Sequence, residues 1–246
     1  MYEQAQQLLE SELCIDNLSL QKPMGYRDRF STVGLSDTFN AGRIDAQCFA
    51  PNAIFYQTWL RNHTRFDRLA HLLQRLATKG RQQVETDSGT IDYCSIKHVS
   101  EHELTETSKC QPTADTPLAG QNDLLLAITG ATIGKIGIVK RYKQLAFSGD
   151  LLCLRANPEI NPHYLLVALD HLIGQVQFNR WITGSTNGHL ASRDVGRVLV
   201  PRLKEVIEER IAGLVEESLS KRFESEQLLE QAKTRVEQII EEAARQ

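Results

Sequence analysis

Asp123-Leu-Leu-Leu-Ala-Ile-Thr-Gly-Ala-Thr-Ile-Gly-Lys-Ile-Gly-Ile-Val139 sets two apolar, β-prone segments on either side of a glycine-rich turn. Gly130-Ala-Thr-Ile-Gly134-Lys135 resembles a phosphate-binding loop, but the Walker pattern needs four residues between its glycines and a Ser or Thr after the lysine. Here three residues intervene and Ile136 follows. The magnesium-binding hydroxyl is missing and the loop is one residue short, so the run reads as a glycine-turned hairpin with a lysine at its edge.

Around that hairpin the residues alternate in character and β-branched side chains are common, which predicts strands near 90–97, 123–128, 135–140 and 150–155. Upstream, the spacing of Phe55, Trp59, Phe66, Leu69, Leu72, Leu73 and Leu76 after Pro51 predicts a helix interrupted at 62–64 and stopped at Gly80. Residues 17–42 read as loop with a short strand at most. Downstream, Asn161 as N-cap and Pro162 at the first helical position open a helix to Leu172. A loop at 183–189 and a last strand at 195–200 lead to Pro201. The class expected is α+β, a mixed, curved β-sheet domain with flanking helices over 14–202. A short helix, 1–13, precedes it.

Residues 203–246 differ in kind. They hold no proline, one glycine and a seam of Leu229, Ala232, Val236, Ile239 and Ala243 that steps by 3, 4, 3 and 4. That is a coiled-coil stripe, which predicts a helix wanting a partner helix. At about 1.5 Å per residue it would extend roughly 60 Å. Its first part, through Leu219, also suits an amphipathic helix lying on the domain.

Charge follows the same division. The chain of 246 residues carries −3, with 41% apolar and 24% charged residues, ordinary values for a folded soluble protein. Residues 203–246 hold eleven Glu against seven Lys and Arg, a net −4 that leaves +1 for residues 1–202. Within that part Arg61, Arg65, Arg68, Arg75, Lys79 and Arg81 face one acid, Asp67, and Lys135, Lys140, Arg141 and Lys143 face none. Two basic patches on a near-neutral body suggest phosphate contact. No apolar stretch reaches the roughly 18 residues of a membrane span, and no signal segment opens the chain. Five scattered cysteines without a C-x-x-C pair indicate buried thiols in a reducing, cytoplasmic setting.

Catalytic groups at workable spacing are missing. Asn161-Pro-His-Tyr164 resembles the Asn-Pro-Pro-Tyr loop of amino-group DNA methyltransferases, but His163 replaces the second proline and a helix cap explains the stretch better. Cys94, His98 and His102 lack a fourth ligand for a metal. The expectation is a binding protein without catalytic residues, metal or bound cofactor.

Six segments in order carry a resemblance: Arg43–Pro51, Asp123–Val139, Ser148–Arg155, Asn161–Leu166, Gly184–Leu190 and Val198–Pro201, followed by the Glu-rich helix. Over about residues 40–245 the chain resembles the DNA-specificity subunit of type I restriction-modification systems. The resemblance implies one target-recognition domain, near 14–202, and one spacer helix, where complete subunits carry two of each with the helices antiparallel. Double-stranded DNA, a DNA methyltransferase subunit and a restriction subunit would be its partners, with S-adenosylmethionine and ATP bound on those subunits. Glu3-Gln4-Ala5 echoes Glu230-Gln231-Ala232, as though the chain began at the tail of a preceding spacer. Either a half-length subunit forms a homodimer through residues 203–246 and reads a palindromic bipartite site, or the chain is the second half of a longer parent. The DNA-contacting residues expected are Lys79, Arg81, Lys135, Lys140, Arg141, Ser185, Thr186, Asn187, His189 and Arg193. The recognition segment of a single-chain methyltransferase-nuclease, a coiled-coil adaptor that binds protein, and a small nucleotide-dependent enzyme are the rival readings.

Overall fold

In a computed structural model describing residues 1–15, 31–100, 102–184 and 186–244, the Asp123–Val139 run forms two antiparallel strands joined across a short helical turn at Gly130–Thr132. In chain order the helices are α1 (Tyr2–Glu12), α2 (Leu35–Ala41), α3 (Pro51–His63), α4 (Pro162–Asp170), α5 (Leu172–Trp181), α6 (Ser192–Val195) and α7 (Glu205–Ala244). The strands are β1 (Arg65–Arg68), β2 (Thr78–Lys79), β3 (Ile91–Cys94), β4 (Val99–Ser100), β5 (His102–Leu104), β6 (Ser108–Cys110), β7 (Leu118–Gly120), β8 (Leu124–Ala127), β9 (Ile136–Ile138), β10 (Gln144–Phe147), β11 (Leu151–Leu154) and β12 (Leu199–Arg202). The fold is α+β with mixed sheets and a long C-terminal helix.

Six strands in the order β2-β11-β8-β9-β5-β4 make the largest sheet, four in the order β6-β3-β10-β7 make a second, and β1 pairs with β12 alone. The β9–β5 and β10–β3 pairs are parallel and the rest antiparallel. Successive side chains on a strand point to opposite faces, and both faces of the large sheet are covered. Leu124, Leu126, Ile136, Ile138, Leu152 and Leu154 enter the core built with the helices. Leu125, Ala127, Leu151 and Cys153 pack instead with Leu145 and Phe147 of the second sheet. Double burial is why Leu124–Ile128 is apolar without alternation. Asp123, itself buried, accepts two hydrogen bonds from Arg155 at 2.8 and 2.5 Å and fixes the start of β8 against the end of β11.

The Asn161 cap holds as expected, its side chain accepting from the His163 amide at 3.0 Å with Pro162 in the first turn. Four expectations are corrected. The helix after Pro51 ends at His63, where the Thr64 hydroxyl donates to the Leu60 carbonyl at 2.9 Å, and the chain turns into β1 to pair with β12. Leu69, Leu72 and Leu73 are buried from a single 3-10 turn at Leu69–His71 and the bridge to Ala156 that follows it, so their spacing reflects burial and not a longer helix. Gly80 is no helix stop; a Cβ there would lie 2.2 Å from the Ser148 carbonyl oxygen, so the glycine lets the chain leaving β2 pass close to the turn between β10 and β11. The last strand runs Leu199–Arg202 after the short α6, and it holds Pro201 because β12 has one partner and a free edge. Residues 35–41, read as loop, are helical; the first part of that loop, 17–30, lies outside the described residues.

The C-terminal helix changes environment midway. Ile211, Ala212, Val215 and Leu219 are buried in the main core beside α1 and α4. From Phe223 to Ala243 every residue is exposed, among them Leu229, Ala232, Val236, Ile239 and Ala243, over roughly 30 Å of helix. At the other terminus Ala5, Leu9 and Leu13 of the α1 region share the same core. The Tyr2 hydroxyl and Gln6 donate to Asp170 at 3.0 and 3.2 Å, and His171 meets Glu10 at 3.0 Å.

This division predicts unequal costs for truncating the helix. Ile211→Ala removes a fully buried side chain and should cost about 2–5 kcal/mol, whereas Ile239→Ala, half exposed, should stay within about 0.5 kcal/mol in the monomer. Urea unfolding at dilute concentration checks both, and equal losses would contradict the division.

Candidate nucleic-acid interface

The turn between β8 and β9 and the loop after α5 are locked together by backbone. The Gly130 amide donates to the Gly188 carbonyl at 3.0 Å, the Leu190 amide to Ile128 at 3.0 Å, and Thr183 and His189 exchange hydrogen bonds at 2.9 and 2.7 Å across the loop neck. Gly134 needs its glycine twice over. Its φ is +94°, and a Cβ would fall 2.2 Å from Gln175 Oε1, whose amide nitrogen donates to the Gly134 carbonyl at 3.0 Å. Lys135 follows, exposed, at the start of β9.

Two further segments join this edge. Asp150 receives the Thr129 hydroxyl at 3.0 Å and, through its carbonyl, the Ile128 amide at 3.0 Å. Beside it Lys79 pairs with Leu152, the Gly80 amide donates to Leu151 at 3.1 Å, and the Arg81 amide donates to Phe147 at 3.0 Å. The Ser192 hydroxyl donates to the Ala77 carbonyl and ties α6 to the same region. Lys79, Arg81, Lys135, Thr186, Asn187, His189 and Arg193 are thus carried by four connected segments, and all but the half-buried His189 are exposed. The Arg193 side chain is 85% exposed and only 3.7 Å from Asp194. Ser185 lies outside the described residues.

Lys140 and Arg141 stand at the far end of β9, roughly 16 Å from Lys135 along an extended strand. They are occupied there. Lys140 Nζ lies 2.9 Å from Glu216 and 3.5 Å from His163 Nε2. Arg141 Nη2 lies 2.5 Å from Glu226 and 3.3 Å from Glu103, and its guanidinium sits 4.6 Å from the centre of the Phe223 ring. The basic run 135–143 is therefore split between the loop edge and the C-terminal helix. Hydrogen bonding to Lys140 holds the Glu216 carboxyl below its ordinary range. Burial raises the Glu103 carboxyl, with Arg141 opposing the rise, and burial followed by Lys140 lowers His163.

Reading the sequence missed this helix dock. Glu103, Glu216, Phe223 and Glu226 form it, and its signal was the acidic helix opposite a basic segment with no acid of its own. Arg43 was also missed as a site residue. Its guanidinium donates to the Arg180 and Ile182 carbonyls at 3.4 and 3.1 Å, bracing the root of the late loop, while Asp45 holds it in a forked pair.

The cysteine and histidines considered for metal are separately engaged. Burial pushes the Cys94 thiol up to about 12, away from the thiolate form that binds metals. His98 Nδ1 accepts from the Ser95 amide at 3.0 Å, and His102 stacks on Tyr2 with ring centres 3.8 Å apart. Among the described residues no group of three or more His, Cys, Asp or Glu could hold a metal ion. Nor is any helix there long and apolar enough to cross a membrane.

No protein-family model and no curated protein matches the sequence. Solved structures do match in fold. A chain from a study of complex assembly and conformational transition of the type I R-M system aligns with a TM-score of 0.52 at 12% identity, over 89% of this chain and 46% of that one. The type IIG restriction endonuclease BpuSI aligns with a TM-score of 0.53 at 10% identity, over 75% and 30%. The type I restriction-modification S subunit from M. genitalium aligns with a TM-score of 0.49 at 14% identity, over 67% and 41%. The chain spans less than half the length of each. At these identities the likeness is one of fold.

Arg141→Ala should cost about 1–3 kcal/mol, because it removes the guanidinium that hydrogen-bonds the buried Glu103 carboxylate. Glu103 already prefers protonation more than an unfolded glutamate does, and losing Arg141 strengthens that preference. The deficit should accordingly be full near pH 8 and shrink as pH falls toward 5 and Glu103 takes up its proton. Denaturant unfolding at both values checks this; a pH-independent deficit would contradict it.

Proposed function

We propose that this chain is a DNA-recognition protein of the restriction-modification type, acting as a specificity subunit that directs a methyltransferase subunit to its target. The observation that carries the reading is the loop edge: four exposed cations, Lys79, Arg81, Lys135 and Arg193, with Thr186, Asn187 and His189 on segments interlocked through backbone. A rigid edge with cations around short polar side chains suits backbone positioning combined with base reading in the major groove. The fold likeness to the type I R-M chain supports the reading, and the sequence resemblance noted above agrees with it.

In this account residues 14–202 are the recognition domain, α1 belongs to the spacer side, and 203–246 is the spacer helix. The chain performs no catalysis and binds no cofactor itself; S-adenosylmethionine and ATP belong to methyltransferase and restriction partners in the cytoplasm. Lys140 and Arg141 hold the spacer helix and leave phosphate contact to the loop edge. The exposed seam of Leu229, Ala232, Val236, Ile239 and Ala243, with Leu228 and Ile240 beside it, is an apolar stripe with no partner among the described residues. A second copy laid antiparallel on it would give a homodimer with two recognition domains and two-fold symmetry. The alignment with BpuSI favours a second reading, the recognition segment of a longer single-chain enzyme.

Selection from a randomised duplex pool, with affinities then measured against salt, tests the edge. Lys135→Ala should weaken every duplex and lower the salt slope by about 0.9. Asn187→Ala should instead change the preference at particular base pairs, by about 1–3 kcal/mol. A pool without enrichment, or a slope untouched by Lys135→Ala, would remove the recognition reading. Sedimentation at micromolar concentration should give twice the chain mass, and a monomer would contradict the homodimer.

A further inference from the structure

A cavity of about 740 Å³ lies behind the late loop, between α2, α3, β1 and the end of α5. Four guanidinium groups line it, Arg61, Arg68, Arg180 and Arg197, against one carboxylate, Asp37. Asp37 is already engaged, accepting from the Gly34 amide at 3.0 Å. Arg197 shares charge with Asp194 at 3.5 Å and donates to the Asn40 and Ala41 carbonyls at 3.4 and 3.1 Å, which seats the end of α2. Arg180 is 7% exposed; it donates to Gln57 and lies against the rings of Phe49 and Trp181 at 5.5 and 5.0 Å. None of Arg61, Arg68 and Arg180 has an ion-pair partner among the described residues.

Like charges gathered in one partly buried space repel unless an anion joins them, and a wall is rarely left with bare donors. Among the described residues two are bare: Arg180 Nε and Trp181 Nε1 are buried with no hydrogen-bond acceptor. Guanidinium forks match phosphate oxygens in pairs. The position is also informative. Trp181 precedes Thr183, where the late loop begins, by two residues, and Arg43 braces the carbonyls of Arg180 and Ile182 on either side of it.

We infer that this cavity is a phosphate-binding site, closed by Arg61, Arg68, Arg180 and Arg197, which takes a backbone phosphate of the DNA strand flanking the read bases. That source rests on the recognition reading above. A free phosphate-bearing anion is the other source of the same chemistry, and the test separates the two.

The probes are inorganic pyrophosphate, followed by thermal unfolding, and a duplex of arbitrary sequence, followed by affinity against salt, both with the full chain. The variants are Arg61→Gln, Arg68→Gln and the pair; both side chains are exposed, so the fold should stand. Pyrophosphate should raise the unfolding temperature of the native chain and not that of the double variant. On DNA each single variant and the pair should alike lower the salt slope by about 0.9, because both arginines close on one phosphate. A lost thermal shift with an unchanged DNA slope would assign the cavity to a free anion and keep the site. A native chain that binds no DNA yet shows the shift would keep the site and remove the recognition reading. Unchanged slope and shift in the double variant would overturn the proposal, as would losses on DNA that add to about 1.8 without any pyrophosphate shift, the mark of two separate surface contacts.

Discussion

The burial of both faces of the β11-β8-β9 sheet is the constraint from which the other features follow. Leu124, Leu126 and Ile138 face the helices while Leu125, Ala127 and Leu151 face the second sheet. Shifting such a strand by one residue would exchange its two side-chain sets between differently shaped cores, so its register is held tightly. A strand with fixed register delivers its ends to fixed places. β9 delivers Lys135 to one end and Lys140 with Arg141 to the other, and the molecule uses the ends differently.

At the first end the backbone of the β8–β9 turn is clasped to the late loop through Gly130, Gly188 and His189, which makes two exposed loops into one stiff edge. At the second end Arg141 is held among Glu103, Glu226 and Phe223, and Lys140 by Glu216, so the C-terminal helix leaves the body in a direction set by the same strand. Exposed ion pairs alone contribute little, about 0–1 kcal/mol. The buried Glu103 and the aromatic face raise the value of this one, and the buried row from Ile211 to Leu219 supplies the apolar part. Beyond Glu226 every residue of the helix through Ala243 is exposed among the described residues, and its apolar stripe continues regardless.

How far the residues announce this can be judged element by element. The hairpin, the Asn161 cap and the long helix were legible because each depends on local chemistry: glycines at a turn, an oxygen accepting an amide, a heptad seam. The body-facing half of the helix was legible for the same reason, down to its limit at Leu219. The stretch from Phe66 to Gly80 was not, because its helical spacing of leucines is set by pairing with β12, β11 and Ala156, all more than seventy residues away. The fate of Lys140 and Arg141 was hidden likewise; a basic run looks alike whether it faces phosphate or a glutamate brought by a distant helix. The arginine cavity draws on residues 37, 61, 68, 180 and 197, and no sequence pattern joins those positions.

The account makes the edge and the helix parts of one device, in which the edge reads bases and the helix sets the distance between two readings. Its most direct measurement is the mapping of methylated positions in host DNA when the chain is co-expressed with a methyltransferase subunit from its own system. The account predicts methylation confined to a bipartite, palindromic sequence with a fixed spacer. Methylation at an asymmetric sequence would contradict the symmetric pairing of helices, and methylation without sequence preference would contradict recognition itself.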